Sequence, residues 1–435
     1  MDPPDGKETL DLLLASGYEF VSPVGSSYYT NSTSLSTKFY QKLLDRCWRR
    51  SGKLLYRPNQ RDSCCPHYTI RLAASAYKPT RDQRQTINRF NNYITGDAYS
   101  KEAARRFPRS KEEAKRRNNE FSLLERVHEA EHDQLHAQLE AAHKLVVTLE
   151  PADFTEEKYA VYDNYQKVIH KDAPEDRTRK GFKRFLCSST LRREVLESPN
   201  GKKRRLGSYH QCYRLDGKLV AVGVLDLLPD CVSSVYFMYD ESIHRFSPGK
   251  LAAMREIALA LEDGYKWWYP GYYIHSCTKM RYKMDFGPQS ILDPVTLEWD
   301  PLDKTVLGLL DKKPFVSLAE EKGKHKLQDT NAEQSKSEIH KDGEDEDDED
   351  DDFGGSLFNS NMPGIPPISE LESLDLDHIA LRGPSAVRLF ETSHLVGWES
   401  SSIHGGARSV KAHIAELVAA MGTDTIDSIC IDLRS

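Results

Sequence analysis

The sequence predicts a mixed α/β protein, α+β in arrangement, and three observations carry that prediction. Residues 145–315 alternate strand-like and helix-like periods, with three strand signals in succession before one strong helix and a further strand. Residues 1–96 hold a shorter, separate run of the same mixture, and residues 97–144 between them are nearly all charge, Ala, Gln and His, the composition of a charged helical linker. Composition shifts again after residue 315. Residues 316–365 read as a disordered acidic linker, with ten acids among the eleven residues 342–352, and residues 366–435 regain enough apolar periodicity for a small helical appendage.

The elements follow in order. Residues 1–35 are rich in Ser, Thr, Gly and Tyr with weak periodicity and read as loop. From Ser36 a helix is expected, because Phe39, Leu43, Leu44 and Cys47 share one face and Gly52 stops it. LLYRP and HYTIRL alternate as strands around a turn-rich PNQRDS, and residues 80–95 are helical with Ile87, Phe90 and Ile94 on one face. A helix opens at Thr155. YHQCYRL, LVAVGVLDLL and CVSSVYFMYD are strands, the first two joined by a turn at Asp216-Gly217. RFSPGKLAAMREIALALEDG is a helix with Ser247 as N-cap, Pro248 in its first turn and Gly264 past its end, and WWYPGYYIH supplies another strand. A helix, an antiparallel run of strands, a helix and a final strand make the pattern of a GNAT-like acyltransferase sheet, with a smaller N-terminal α+β domain before it.

Charge and cysteine usage narrow the class. The formal net charge of −7 divides into +7 over residues 1–320 and −14 over 321–435, and residues 46–126 alone carry 20 basic against 8 acidic side chains. A basic body suits a nucleic-acid partner. Gly (25) and Pro (21) are ordinary, which excludes a collagen-like chain, and no apolar run approaches the ~20 residues of a membrane-spanning helix. The acidic start and the eight scattered cysteines fit a reducing compartment, cytoplasm and also nucleus, with no membrane.

Four motifs carry chemistry. His128-Glu129-Ala130-Glu131-His132 fits the HExxH zinc-protease pattern if helical, but it lies in the most polar part of the chain, where a solvated Glu/His helix is the plainer reading. Cys64 and Cys65 stand beside Pro66 and His67, as thiolates for zinc or iron or as a buried pair at a strand start. The stretch from Arg46 to Arg89 interleaves cations with Trp48, Tyr56, Tyr68 and Tyr77, which suits RNA phosphates and bases, or an ordinary cationic surface. Residues 267–284 form an aromatic-to-cationic run unusual for a core strand.

SGKLLYRPNQRDSCCPHYTIRL, DLLPDCVSSVYFMYD and GYYIHSCTKMRYK followed by ILDP resemble the eukaryotic arginyl-tRNA:protein transferases, of the fungal type. The resemblance implies an aminoacyltransferase of GNAT-like fold. Its partners would be arginyl-tRNA and proteins with N-terminal Asp, Glu or oxidised Cys, which arginylation marks for ubiquitin-dependent N-degron degradation. The family usually carries a Cys-Gly-Tyr-Cys motif upstream, associated with an iron-sulfur cluster or metal, whereas SPVGSSYYTNS here has no cysteine. Cys64 and Cys65 are therefore left as doubtful ligands, and no cofactor is required for the chemistry itself.

The expected reaction is attack of a neutral α-amine on the ester joining arginine to the tRNA 3′ end, with positioning and oxyanion stabilisation supplying most of the acceleration. Asp226 and Asp240, each at a strand end, are the candidate carboxylates, or else simple turn residues. Tyr236 and Tyr282 are candidate oxyanion donors. His275, Lys279, Arg281 and Lys283 are candidates for the acidic side chain of the substrate, and Arg46, Arg49, Arg50, Lys53, Arg57 and Lys250 for the tRNA. A non-catalytic RNA-binding adaptor that keeps only the basic surface is the competing class.

Overall fold

The computed structural model describes residues 8–11, 17–21, 25–197, 201, 203–330, 356–383, 389–406 and 409–433. The acidic run 342–352 lies outside the described residues. Among the described residues no helix is long and apolar enough to cross a membrane.

The chain begins with strands β1 (Glu8–Asp11), β2 (Gly17–Val21) and β3 (Gly25–Ser34), then helix α1 (Thr37–Leu44) and strands β4 (Arg49–Ser51), β5 (Leu54–Pro58) and β6 (Tyr68–Ala73). The expected N-terminal loop is thus strand, because β3 pairs with three neighbours, a tertiary gain that weak local periodicity does not reveal. Ser36 caps α1 by accepting from the Phe39 amide. The polar stretch is helical through α2 (Arg81–Arg106), α3 (Lys111–Asn119) and α4 (Leu123–His128).

Next come β7 (Leu145–Pro151), α5 (Glu156–Tyr165, capped by Thr155), α6 (Arg179–Phe182), β8 (Glu194–Glu197), β9 (Lys203–Leu215), β10 (Lys218–Leu228) and β11 (Cys231–Tyr239). The β9–β10 turn places Asp216 at φ 53° and Gly217 at φ 82°, the left-handed pair a two-residue hairpin requires. Helix α7 (Pro248–Asp263) ends on Gly264 at φ 77°, while Ser247 sits at its start without a side-chain cap bond. The expected WWYPGYYIH strand is two short ones, β12 (Trp267–Tyr269) and β13 (Tyr272–Tyr273), interrupted at Pro270-Gly271. The chain continues through β14 (Gln289–Leu292), β15 (Trp299–Pro301), α8 (Lys304–Leu310), α9 (Leu318–Thr330), α10 (Ile368–Leu371), β16 (Ala380–Arg382), β17 (Phe390–Glu391), α11 (Val410–Met421) and β18 (Ile429–Asp432).

Two sheets organise these elements. The larger runs β15-β14-β6-β12-β11-β10-β9-β7, so β6, from the N-terminal part of the chain, is a central strand of the second unit's sheet. The other runs β17-β16-β18-β1-β3-β5-β4 and interleaves the two ends of the chain. Its core joins Tyr28, Trp48 and Leu55 to Ile414, Leu417, Val418, Ile429 and Ile431. Trp48 Nε1 donates to the Ala420 carbonyl at 2.9 Å. The C-terminal segment therefore forms half of the N-terminal unit's hydrophobic core.

Within the larger sheet, β9, β10 and β11 are antiparallel, and β11 then runs parallel to β12 with α7 between them. That parallel pairing holds only from Cys231↔Trp267 to Ser233↔Tyr269 and then stops, so the two strands part at Ser234. The β10–β11 register shifts at the same level, opposite Val224/Leu225. One extra residue reverses which face the side chains take, and Ser234 turns towards α7 while Tyr236 packs with Tyr165 and Phe185 on the α5 side.

Candidate functional site

The residues nominated from sequence are dispersed over the fold, in roles set by burial. Asp226 is fully buried. Arg50 Nη2 and Nε donate to its two oxygens at 2.5 and 2.7 Å, and Ser208 Oγ donates at 2.6 Å. A carboxylate saturated in this way has no lone pair turned to a substrate, so Asp226 is corrected from proton acceptor to structural anion and Arg50 from tRNA contact to its counterion. Asp240 accepts from Lys218 Nζ at 2.8 Å and from the Ser242 amide at 3.0 Å. Burial opposes its ionisation, but these donors hold its pKa below the ordinary value, which suits a capping anion rather than a base.

The nominated tRNA contacts also divide. Arg57 is buried and donates to the carbonyls of Ala420 and Pro363 at 2.9 and 2.8 Å. Arg46 pairs with Asp424 at 2.6 Å and Lys250 pairs with Asp82. Lys53 is exposed. Trp48 and Tyr68 are buried and offer no stacking surface. The interleaved basic stretch is thus largely an internal seam between the units, and the exposed cations lie instead along α2 and α3, at Arg81, Arg84, Arg109, Lys111 and Lys115.

In the aromatic-to-cationic run, Lys279 and Arg281 are exposed, and His275 is held between the Tyr273 hydroxyl and Asp311, each at 2.8 Å. Lys283 alone turns inward, donating to the Tyr272 carbonyl at 2.7 Å. Burial, with Arg49 nearby, lowers its pKa to about 8. Tyr272 is the hub of this pocket: the Arg49 guanidinium lies 4.7 Å over its ring, and the His67 ring meets its edge at 5.3 Å. Arg49 is only 7 % exposed, and its Nε and Nη2 have no partner, nor has His67 Nδ1. No carboxylate among the described residues forms an ion pair with Arg49 or Lys283. A buried and a half-buried cation thus gather with an imidazole around one ring, with no ion-paired carboxylate among the described residues, an arrangement that favours an anion.

Tyr236 donates to Gln166 Oε1 at 2.9 Å and stays protonated because burial raises its pKa, while Tyr282 is exposed. The sequence reading missed Glu256, which lies on α7 at 2 % exposure. It accepts from Trp268 Nε1 at 2.8 Å and from Ser234 Oγ at 3.3 Å, and burial raises its pKa to about 7. The one local signal was a charged residue set between Met254 and Ile257 on a helix whose apolar positions wrap right round it.

The HExxH reading fails on geometry. Helix α4 ends at His128, so His132 is not one helical turn further on, and it is exposed. His128 donates to Glu131 at 2.8 Å and to Glu262 at 2.6 Å, which raise its pKa to about 9 and keep it a cation rather than a ligand. Cys64 and Cys65 place their sulfurs 3.2 Å apart, with Cys64 exposed. Among the described residues no three metal-ligating side chains come together, and the chain has no cysteine before Cys47. Two adjacent thiols without a third ligand among the described residues do not fit a four-ligand cluster or structural zinc site.

Comparison with known proteins places two regions of the chain. Models of the arginine-tRNA-protein transferase N terminus and C terminus match residues 18–85 and 157–293. Those two regions are similar to the two halves of the arginyl-tRNA–protein transferases. It is 31% identical over 300 residues to arginyl-tRNA–protein transferase 1 of Saccharomyces cerevisiae, covering 66% of this chain but 54% of the yeast protein, about half its length. To the Drosophila melanogaster arginyl-tRNA–protein transferase 1 it is 41% identical over 170 residues, 38% of this chain and 34% of that one. A bacterial relative, the aspartate/glutamate leucyltransferase of Stutzerimonas stutzeri, is 28% identical over 263 residues, 60% of this chain and 83% of that one. Both transferase models cover the residues that meet at the strand opening. Arg49 and His67 fall in the N-terminal match and Ser234, Glu256 and Lys283 in the C-terminal one.

Proposed function

We propose that this chain transfers arginine from arginyl-tRNA to the α-amino group of proteins that begin with Asp, Glu or oxidised Cys, marking them for ubiquitin-dependent degradation. The observation that carries the reading is the cationic cluster around Tyr272, in which Arg49, Lys283 and His67 form no ion pair with a carboxylate among the described residues, beside the point where β11 and β12 part. All three nominated N-termini carry an acidic side chain one residue's reach from the reacting amine. Similarity to the transferase family supports the chemistry, and the antiparallel β9–β10–β11 run followed by α7 and the diverging β12 supports a GNAT-like sheet as its frame.

In this reading the acidic side chain enters the Arg49/Lys283 pocket and holds its own α-amine at the strand opening. The amine, with an ordinary pKa of about 7.7–8.0, is partly neutral at physiological pH. Tyr282, kept protonated, is the hydroxyl available to the developing oxyanion, since the Tyr236 proton is given to Gln166. The exposed cations of α2 and α3 take tRNA phosphates, replacing the buried arginines in that role.

The test supplies arginine-charged tRNA with two peptides that differ only in an N-terminal Asp or Lys. Arginine is expected on the Asp peptide alone. Transfer to neither sinks the enzyme reading in favour of an RNA-binding adaptor, and equal transfer to both sinks the role of the cationic pocket.

A further inference from the structure

We propose that Ser234 and Glu256 form the proton relay of the transfer reaction, Ser234 touching the attacking amine and Glu256 receiving the proton through it. The inference rests on the transferase reading above and adds the group that reading lacks, since both sequence-nominated carboxylates are occupied elsewhere.

The geometry is specific. Ser234 is the first residue of β11 beyond its last pairing with β12, and it is half-buried, so its hydroxyl stands where the sheet opens. That hydroxyl donates to Glu256 Oε1 at 3.3 Å, and Trp268 Nε1 fixes Oε2 at 2.8 Å. Among the described residues Asp226 is neutralised by Arg50 and Glu131 by Arg255, whereas Asp293 and Glu416 are held, like Glu256, by neutral donors alone. Glu256 differs from those two in that one of its donors, Ser234, stands where the sheet opens. A buried carboxylate left without a cation is costly to folding, and such expense concentrates at sites that use the group.

The charged and titratable groups facing Glu256 are few. Lys283 and Tyr282 approach from the 278–285 segment, Tyr213 from β9, and Trp268 and Ser234 contribute neutral donors from β12 and β11. Burial dominates, and the resulting pKa of about 7 lies close to that of the amine the relay would serve, the match that general-base catalysis favours.

The step balances as follows. The neutral amine nitrogen bonds to the ester carbonyl carbon, and its N–H proton passes to Ser234 Oγ as the Ser234 proton passes to Glu256. The tetrahedral intermediate then collapses with cleavage of the bond from carbonyl carbon to ribose oxygen. The proton held by Glu256 returns through Ser234 to that oxygen, leaving a peptide bond, a free ribose hydroxyl and both residues in their starting states.

The experiment measures arginine transfer to an Asp-starting peptide from pH 5.5 to 9 for wild type, Ser234→Ala and Glu256→Gln, the last keeping an oxygen for Trp268. In wild type, kcat/KM should fall with slope two below about pH 7, where amine and Glu256 are both protonated, and with slope one between about 7 and 8. Each variant should lose about 10²- to 10⁴-fold in kcat. Each should also retain only the single amine slope and bind tRNA as wild type does. Glu256→Asp should recover part of the loss with the double slope. Full kcat in Ser234→Ala, which removes no buried charge and tolerates any folding defect at Glu256, overturns the relay, as does a double slope surviving in Glu256→Gln. A wild-type protein that transfers no arginine overturns the parent reading and this one together.

Discussion

Replacing Asp226 separates the two roles that a strand-end carboxylate can have. In the structure it is the 0 % exposed partner of Arg50, which is itself 5 % exposed, and it accepts three hydrogen bonds at 2.5–2.7 Å. Asp226→Ala leaves the guanidinium with only Ser208 at 2.9 Å and a distant Gly52 carbonyl. Removing one member of such a pair costs about 3–5 kcal/mol, because the other charge stays buried and uncompensated. At about 2–4 °C per kcal/mol for a cooperative unit of this size, the melting temperature should drop by roughly 6–20 °C. The double change Asp226→Leu with Arg50→Met should recover most of that loss, since two apolar groups of similar volume avoid the desolvation cost. The measurement is thermal and urea unfolding alongside arginine transfer well below the melting point. A variant that melts like wild type yet transfers nothing would make Asp226 the catalytic carboxylate and defeat the structural assignment.

Three further outcomes follow from the same geometry. Lys283→Met should raise KM for an Asp-starting peptide about 10- to 100-fold, hydrogen bonds to charged groups being worth about 1.5–3 kcal/mol, with tRNA affinity unchanged by filter binding. Since burial brings the Lys283 pKa down to about 8, its cation is lost as pH rises through that value, so wild-type KM should climb on the alkaline side and the variant should lack that limb. His210 is fully buried, and burial lowers its pKa to about 4, so the unfolded chain binds a proton first as pH falls from about 6.5. Urea unfolding should therefore show roughly 3 kcal/mol lost between pH 6.5 and 4, a slope that His210→Gln flattens. Truncation before residue 356 strips Trp48 and Arg57 of their carbonyl partners and should leave the N-terminal unit insoluble or protease-sensitive, whereas a soluble, fully active truncate would contradict the shared core.

What was legible in the sequence is what local rules decide. The Asp216-Gly217 turn needs two left-handed residues and has them, and the Thr155 cap and the Gly264 stop of α7 are likewise settled within a few residues. The family resemblance, too, was legible, because its motifs are contiguous. The site was not. Arg50, Arg49 and Arg57 alternate along β4 and β5 in a pattern that reads as a wet cationic edge, yet their environments are set by Asp226, Tyr272 and Ala420, 176, 223 and 363 residues away. Asp226 reads as a strand end but is not one: it pairs with Ser208 and Ser233, and β10 continues past it to Leu228, through partners that no local period reveals.

The opposite behaviours of Asp226 and Glu256 show how the fold assigns chemistry to carboxylates of equal burial. Asp226 meets a guanidinium whose fork matches it, and the pair becomes inert. Glu256 and Lys283 are near enough to feel each other's charge but form no ion pair, because Trp268 and Ser234 hold the carboxylate while the Tyr272 carbonyl holds the ammonium. Direct contact would have pulled both pKa values back towards their ordinary ranges and removed each group from use. Between the two lies the backbone break at Pro270-Gly271, which ends β12 and starts β13, both of them paired with β6. Gly271 holds φ 81° there, with the Lys283 ammonium and the Ser234 carbonyl 3.6 and 3.7 Å from where a side chain would begin. The same interruption that splits one expected strand into two thus sits beside the Lys283 ammonium and the Ser234 backbone, at the level where β11 and β12 part.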